Sequence, residues 1–72
     1  MVEPSVMEAE DLVEFLTDVA KDAKRYGATL DMQIQQWWTI VELAQLVRGQ
    51  MTCDELSECT KVFIEEVRSL DA

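Results

Sequence analysis

The 72 residues of this chain are enough for one small domain, and we assign residues 1–72 to it. Fifteen acidic residues against six basic ones give a net charge of −9, which repels nucleic-acid phosphates and anionic lipid surfaces. The chain has no histidine and only two cysteines, so the common zinc sites are excluded and the usual general base is missing.

We therefore expect neither an enzyme nor a cofactor or metal site. No apolar run approaches the ~18 residues of a membrane span, and the early residues are acidic, unlike a secretory signal. Cys53 and Cys59 fall in one predicted helix, which separates their Cα atoms by about 9 Å. This distance is too long for a disulfide, and two reduced thiols predict a cytoplasmic protein.

The first of three predicted helices covers about residues 6–26, because apolar side chains recur there at helical spacing. These positions are Leu12, Leu16, Val19, Ala20, Ala23 and Tyr26. Charged side chains occupy the opposite side, so we expect a half-buried amphipathic helix. Gly27 is well placed to end it in a left-handed conformation.

The sequence is consistent with two different start positions for this helix. Ser5 and Glu8 form a capping-box pattern, which begins the helix at Val6. Alternatively, residues 2–7 form a short strand and the helix begins near Ala9. The fold class is mainly α in both cases, and the second case adds a strand that could pair in a ribbon-helix-helix-like dimer.

The second predicted helix covers about residues 29–48, with Thr29 as its N-cap. Apolar residues fill about half of its helical wheel: Leu30, Ile34, Trp37, Trp38, Ile40, Val41, Ala44 and Val47. The polar remainder is narrow and contains Asp31, Gln35, Thr39 and Glu42. A helix this apolar has to be covered on more than one side, so we predict that it is the central element.

Adjacent tryptophans at positions 37 and 38 diverge by ~100° around a helix, so one can face the chain's own core while the other faces elsewhere. The structural hypothesis is that the other two helices cover both indoles. The functional hypothesis is that Ile34, Trp37, Trp38 and Val41 form a dimer or partner interface, where tryptophan is enriched.

The third predicted helix covers about residues 53–69. Thr52 and Glu55 form a capping box at its start. Leu56, Phe63 and Val67 lie on its apolar side.

Four acidic residues on the first helix form a second candidate surface: Glu10, Asp11, Glu14 and Asp18. Such a face is commonly just solvated. Its functional interpretation is electrostatic steering toward a basic protein partner, which raises association rates more than affinity. Direct binding of nucleic acid is not expected from this surface, since the few bases lack interleaved aromatic residues.

One motif points to a known family. The turn Gly27-Ala28-Thr29 is followed by Met32-Gln33-Ile34-Gln35-Gln36-Trp37 and then by Ile40. In this register Gln33, Ile34, Trp37 and Ile40 match the second helix of ParD-like antitoxins, and the glycine-to-tryptophan spacing agrees. Residues 12–44 therefore resemble that family, which belongs to the ribbon-helix-helix superfamily.

The resemblance implies an intertwined homodimer in which N-terminal strands pair and second helices pack across the two-fold axis. It also implies that the segment after this core, here residues 49–72 with Leu56, Phe63 and Val67, engages a toxin. Two departures stand out: Ala28 replaces the turn arginine of the family, and residues 2–10 contain no base. Both argue against operator binding and leave partner binding unaffected.

The leading hypothesis is a small acidic dimer of antitoxin type that neutralises a cognate toxin, with transcriptional autoregulation as an optional addition. The alternative is a phage-type anti-defence inhibitor or DNA mimic that occupies a basic nucleic-acid-binding groove. A third hypothesis, a repressor that binds DNA, requires residues 2–7 to pair as a ribbon.

Overall fold

The computed structural model describes residues 3–23 and 25–70, and over these ranges the chain is mainly helical, with three α-helices and no strand. Helix α1 is Val6–Lys21, α2 is Leu30–Val47 and α3 is Glu58–Leu70. A short 3-10 helix, Cys53–Glu55, lies between α2 and α3. The mainly helical fold and the three helices are as predicted.

Helix α1 begins at Val6 because Ser5 caps it: the backbone N–H of Glu8 donates to the Ser5 hydroxyl at 3.1 Å. The strand alternative over residues 2–7 is therefore wrong for Val6 and Met7, which are helical. Its first residue, Val2, lies outside the described residues.

Helix α1 ends at Lys21, five residues before the predicted end at residue 26. Lys24, which lies within the predicted helix, is outside the described residues. The backbone N–H groups of Asp22 and Ala23 donate to carbonyls three residues back, which tightens the last turn. Gly27 then adopts a φ of 78°, and the Ala28 N–H donates to the Ala23 carbonyl at 2.9 Å. Gly27 thus has the predicted left-handed conformation.

Helices α1 and α2 run antiparallel, since Glu10 and Val13 near the start of α1 lie beside Ala44 and Val47 at the end of α2. Thr29 caps α2 as predicted, with its hydroxyl accepting from the Met32 N–H at 3.2 Å. The helix closes at Val47, within one residue of its predicted end.

The predicted third helix of residues 53–69 is broken into two pieces. Thr52 and Glu55 do pair, with Glu55 Oε1 accepting from the Thr52 N–H at 3.2 Å, but they start the 3-10 helix. Leu56 is then extended, with φ −64° and ψ 142°, and is buried. The break turns Leu56 inward, and α3 begins afresh after Ser57.

The core gathers one leucine or isoleucine from each part of the fold: Leu12 of α1, Leu43 of α2, Leu56, and Ile64 of α3. Half-buried side chains pack around this cluster, namely Val13, Leu46, Met51, Cys53, Phe63 and Val67. The third helix therefore packs on the α1–α2 hairpin of its own chain.

Candidate protein interaction surface

An exposed apolar stripe runs along one side of α2 and contains Leu30, Ile34, Trp37 and Trp38. Trp37 is 65% exposed and Trp38 is 58% exposed, so neither indole lies in the core. Val41 continues the same side one turn later and is half-buried. These five residues, which we call the α2 stripe, fall at spacings that place them on one face of a helix.

The structural hypothesis that the other helices cover both tryptophans is therefore wrong for this chain alone. The expectation that one indole could reach the core is not met either. The side of α2 that is buried instead carries Thr39, Glu42 and Leu43. Thr39 and Glu42 belong to the narrow polar side of the helical wheel, so part of that polar side faces inward, while Asp31 and Gln35 are exposed.

Glu42 explains this orientation. Its side chain is only 4% exposed, and its carboxylate lies at the first turn of α3. Oε1 accepts from the Ser57 backbone N–H at 2.8 Å, and Oε2 accepts from the Ser57 hydroxyl at 2.7 Å. The Thr60 hydroxyl also donates to Oε2. A carboxylate at a helix N-terminus is favoured by the helix dipole, and three donors satisfy its charge inside the fold.

Burial of Glu42 raises the pKa of its carboxyl group. The hydrogen bonds from Thr60 and Ser57 outweigh that effect and hold the pKa below its ordinary value. The carboxylate is therefore ionised near neutral pH and acts as a tertiary cap that joins α2 to α3.

A second polar contact fixes the other end of α3. Arg68 Nε donates to Glu8 Oε1 at 2.7 Å and Arg68 Nη2 donates to Glu8 Oε2 at 3.1 Å. The hydrogen bond from Arg68 is the main reason that the pKa of Glu8 is lowered. This bidentate ion pair ties the first turn of α1 to the last turn of α3.

All four members of the predicted acidic face are exposed: Glu10, Asp11, Glu14 and Asp18. They lie on the outer side of α1, away from the buried Leu12 and Leu16. The α2 stripe is on a different helix, so an apolar surface and an acidic surface are presented separately.

The predicted partner-binding residues of the third helix have a different placement. Leu56 is buried in the core, and Phe63 and Val67 pack against the same cluster. These three side chains pack within their own chain, and Leu56 is too buried to contact a partner in this conformation. For the half-buried Phe63 and Val67, partner binding stays a prediction. Sequence periodicity found their apolar side correctly but could not tell what covers it.

Two residues important to this surface were missed as site residues. Leu30 extends the stripe by one helical turn before Ile34. Because Leu30 precedes Ile34 by four residues, the sequence already indicated that both lie on the same face of the helix. Glu42 was assigned to the polar, solvent-facing side, and no signal within α2 distinguishes a buried carboxylate from an exposed one.

The described residues contain no group of three or more histidine, cysteine, aspartate or glutamate side chains that could hold a metal ion. Among those same residues, no helix is long and apolar enough to cross a membrane. Cys53 and Cys59 are free thiols, but they do not share one helix, so the premise of the distance argument was wrong.

Comparison with protein-family models, with curated proteins and with solved structures finds no match to this chain. The resemblance of residues 12–44 to ParD-like antitoxins stays a prediction.

Proposed function

We propose that this chain is a small interaction protein of antitoxin type, which binds a cognate toxin and neutralises it by occlusion rather than catalysis. The observation that carries the proposal is the exposed α2 stripe with its two tryptophans. Tryptophan is enriched among the residues that dominate binding energy at protein interfaces. A contiguous exposed apolar patch with polar surroundings is typical of protein interaction sites.

The size of the stripe suits a protein interface. A tryptophan side chain has a surface of up to about 250 Å². With the exposed fractions of Trp37 and Trp38, the two indoles together expose roughly 300 Å² to solvent. Leu30 and Ile34 bring the patch near the upper end of the roughly 300–600 Å² seen on ordinary monomers. With polar flanks, it approaches the ~800 Å² that one partner contributes to a standard interface.

We further propose that the chain is a homodimer through this stripe. Ile34 lies three residues before Trp37 and Val41 lies three residues after Trp38. An antiparallel two-fold axis at the tryptophans would therefore set Ile34 against Val41 of the second copy. Burial of these apolar side chains in both copies is the favourable contribution that would drive association.

The acidic face of α1 is the surface that we assign to attraction of a basic toxin. Its four carboxylates are exposed on a helix that the α2 stripe does not occupy. Complementary charge speeds encounter and selects against wrong partners. The proposal places the protein in the cytoplasm, where free thiols such as Cys53 and Cys59 persist.

Two measurements test the proposal. Sedimentation should show a dimer for the wild-type chain and a monomer for the Ile34→Asp variant. The control variant Gln35→Asp, which changes the neighbouring exposed residue, should remain a dimer. Co-expression of this chain should restore the growth of cells that produce a toxic protein from the adjacent reading frame. Co-expression of the Ile34→Asp variant should restore growth less. A wild-type monomer, together with no effect on that product, contradicts the proposal.

The runner-up function is an acidic inhibitor that occupies a basic nucleic-acid-binding groove. The exposure of all four acids on α1 favours it. Charge reversal at Glu10, Asp11, Glu14 and Asp18 separates the two functions. A DNA mimic should lose inhibition steeply and in a salt-dependent manner. An antitoxin should also bind its toxin more weakly after this reversal, but the apolar anchors of the wild-type chain should keep it inhibitory at high ionic strength.

A third function, a DNA-binding repressor or residual autoregulation, needs a ribbon over residues 2–7. Val6 and Met7 are in α1, which argues against it. A gel-shift assay with the promoter of the chain's own gene tests it, and a specific shift would revive it.

A further inference from the structure

A groove lies between α1 and the C-terminal half of α3, with a volume of about 340 Å³. Its apolar lining comes from Leu12, Phe15, Val67 and Leu70, and Asp11 lies at its rim. Phe15 is 49% exposed and Leu70 is 81% exposed, although both are large apolar side chains. We call this feature the α1–α3 groove.

The groove is already formed in the free chain. The bidentate pair between Glu8 and Arg68 crosses from α1 to α3 beside it and fixes the distance between the two helices. Leu12 is buried and packs with Ile64 in the core, so the floor of the groove is also held in place. A preformed site of this kind loses little affinity to rearrangement.

The charged residues beside the α1–α3 groove indicate what kind of segment would bind in it. Asp11 lines the groove, and Asp18 follows seven residues later on the same side of α1. Both carboxylates are exposed, whereas the guanidinium of Arg68 is engaged by Glu8. An apolar channel with an acidic border complements a segment that has apolar side chains on one face and lysine or arginine beside them.

We propose that the α1–α3 groove binds a basic amphipathic helical segment of a partner protein. The segment inserts an apolar side chain between Phe15 and Leu70 and sets cationic side chains against Asp11 and Asp18. This proposal rests on the proposed function and deepens it, because it separates the partner-binding site from the α2 stripe. The stripe is left for the second copy of this chain.

The test uses a fluorescein-labelled 18-residue peptide with leucine at helical spacings of i, i+4, i+7 and i+11 and lysine elsewhere. Fluorescence anisotropy with the full chain measures its affinity. Phe15→Ala and Leu70→Ala should each weaken binding about tenfold, as loss of an anchoring side chain does. The control, Tyr26→Ala, removes an exposed aromatic side chain outside both surfaces and should change the affinity less than twofold. Trp38→Ala tests the α2 stripe as the other place where the peptide could bind.

Charge is tested with two double variants of equal net change. Asp11→Lys with Asp18→Lys should weaken binding about tenfold at low ionic strength and much less in 0.5 M NaCl. Asp31→Lys with Asp54→Lys changes acids outside the groove and should have a clearly smaller effect. A control peptide with glutamate in place of lysine should not bind, and circular dichroism should confirm that every variant is folded.

Three results would overturn the groove proposal: no binding of the lysine peptide, equal losses for both charge variants, or a larger loss in Trp38→Ala than in Phe15→Ala. The last result would place the peptide on the α2 stripe and leave the proposed function intact. The proposed function itself fails separately, through a wild-type monomer without effect on a toxin.

Discussion

The carboxylate of Glu42 and the backbone of Ser57 are joined by a hydrogen bond of 2.8 Å, although fifteen residues separate them in sequence. This contact caps α3 with a side chain from α2. It holds Glu42 on the inward side of α2, together with Thr39 and Leu43. The α2 stripe lies outside this buried side.

Glu42→Gln should destabilise the chain by about 1–3 kcal/mol. The amide cannot accept hydrogen bonds at both of its terminal atoms, and it loses the charge that the α3 dipole favours. Chemical denaturation monitored by circular dichroism measures the effect. Glu14→Gln, at an exposed position, should change stability by less than 0.5 kcal/mol in magnitude, a rough bound for surface sites. Equal stability of the two variants would show that the buried contacts contribute little.

Stability should fall in acid. The folded-state pKa values of Glu42 and Glu8 are lowered from an ordinary value of 4.5. As the pH falls below about 4.5, the unfolded chain takes up protons first, so the stability contributed by these carboxylates is lost through their folded-state pKa values. Urea midpoints at pH 7, 5, 4 and 3 should therefore decrease, mainly below pH 5.

The Glu42→Gln variant supplies the control for this acid effect. Its midpoint should start lower at pH 7 and decline less between pH 5 and pH 3 than the wild-type midpoint. Parallel declines would indicate that other carboxylates account for the acid sensitivity.

Arg68→Met should cost less than about 1 kcal/mol, because its ion pair with Glu8 is partly exposed. The loss should shrink in 1 M NaCl, where such pairs are screened. Arg48→Met removes another arginine, at an exposed position after α2, and serves as the matched control. A double-mutant cycle with Glu8→Gln isolates the pair, and a coupling energy near zero would mean that the contact is not stabilising.

Tryptophan quenching should depend on concentration. Trp37 and Trp38 are exposed in the isolated chain, so acrylamide should quench them efficiently when the protein is dilute. Under the proposed dimer, quenching should weaken as the concentration rises. In Ile34→Asp the quenching should stay high throughout. Strong protection of the wild-type indoles at all concentrations, in a chain that sediments as a monomer, would contradict both the exposed stripe and the dimer.

Cys59 should react with iodoacetamide faster than Cys53. Cys59 is exposed on α3, whereas Cys53 is half-buried against the core cluster. Mass spectrometry of partly alkylated protein, digested after quenching, gives the two rates. Faster modification of Cys53 would indicate that the 3-10 helix opens readily.

Local signals in the sequence predicted much of this fold. The caps at Ser5 and Thr29 and the left-handed turn at Gly27 lie within a few residues of the groups that they satisfy. Such signals need no knowledge of the tertiary structure. The break before α3 was not predictable in this way, because the extended conformation of Leu56 is favoured by its burial among residues from all three helices.

The candidate interaction surface was only partly predictable for the same reason. The excess of apolar residues on α2 was visible in the sequence, and Ile34, Trp37 and Trp38 are exposed. The direction in which α2 turns was not visible, because the donors that hold Glu42 are Ser57 and Thr60 on another helix. A polar residue on a helical wheel is assigned to solvent unless such a partner is known.

The contact between Glu42 and the start of α3 also opposes a rotation of α2 that would bury the two exposed indoles. If α2 rotated about its own axis to hide Trp37 and Trp38, the ionised Glu42 side chain would swing away from the hydroxyls that solvate it. That penalty locks the helix in a single rotational setting. Within this fold the two indoles therefore stay exposed, and only the association proposed above would cover them.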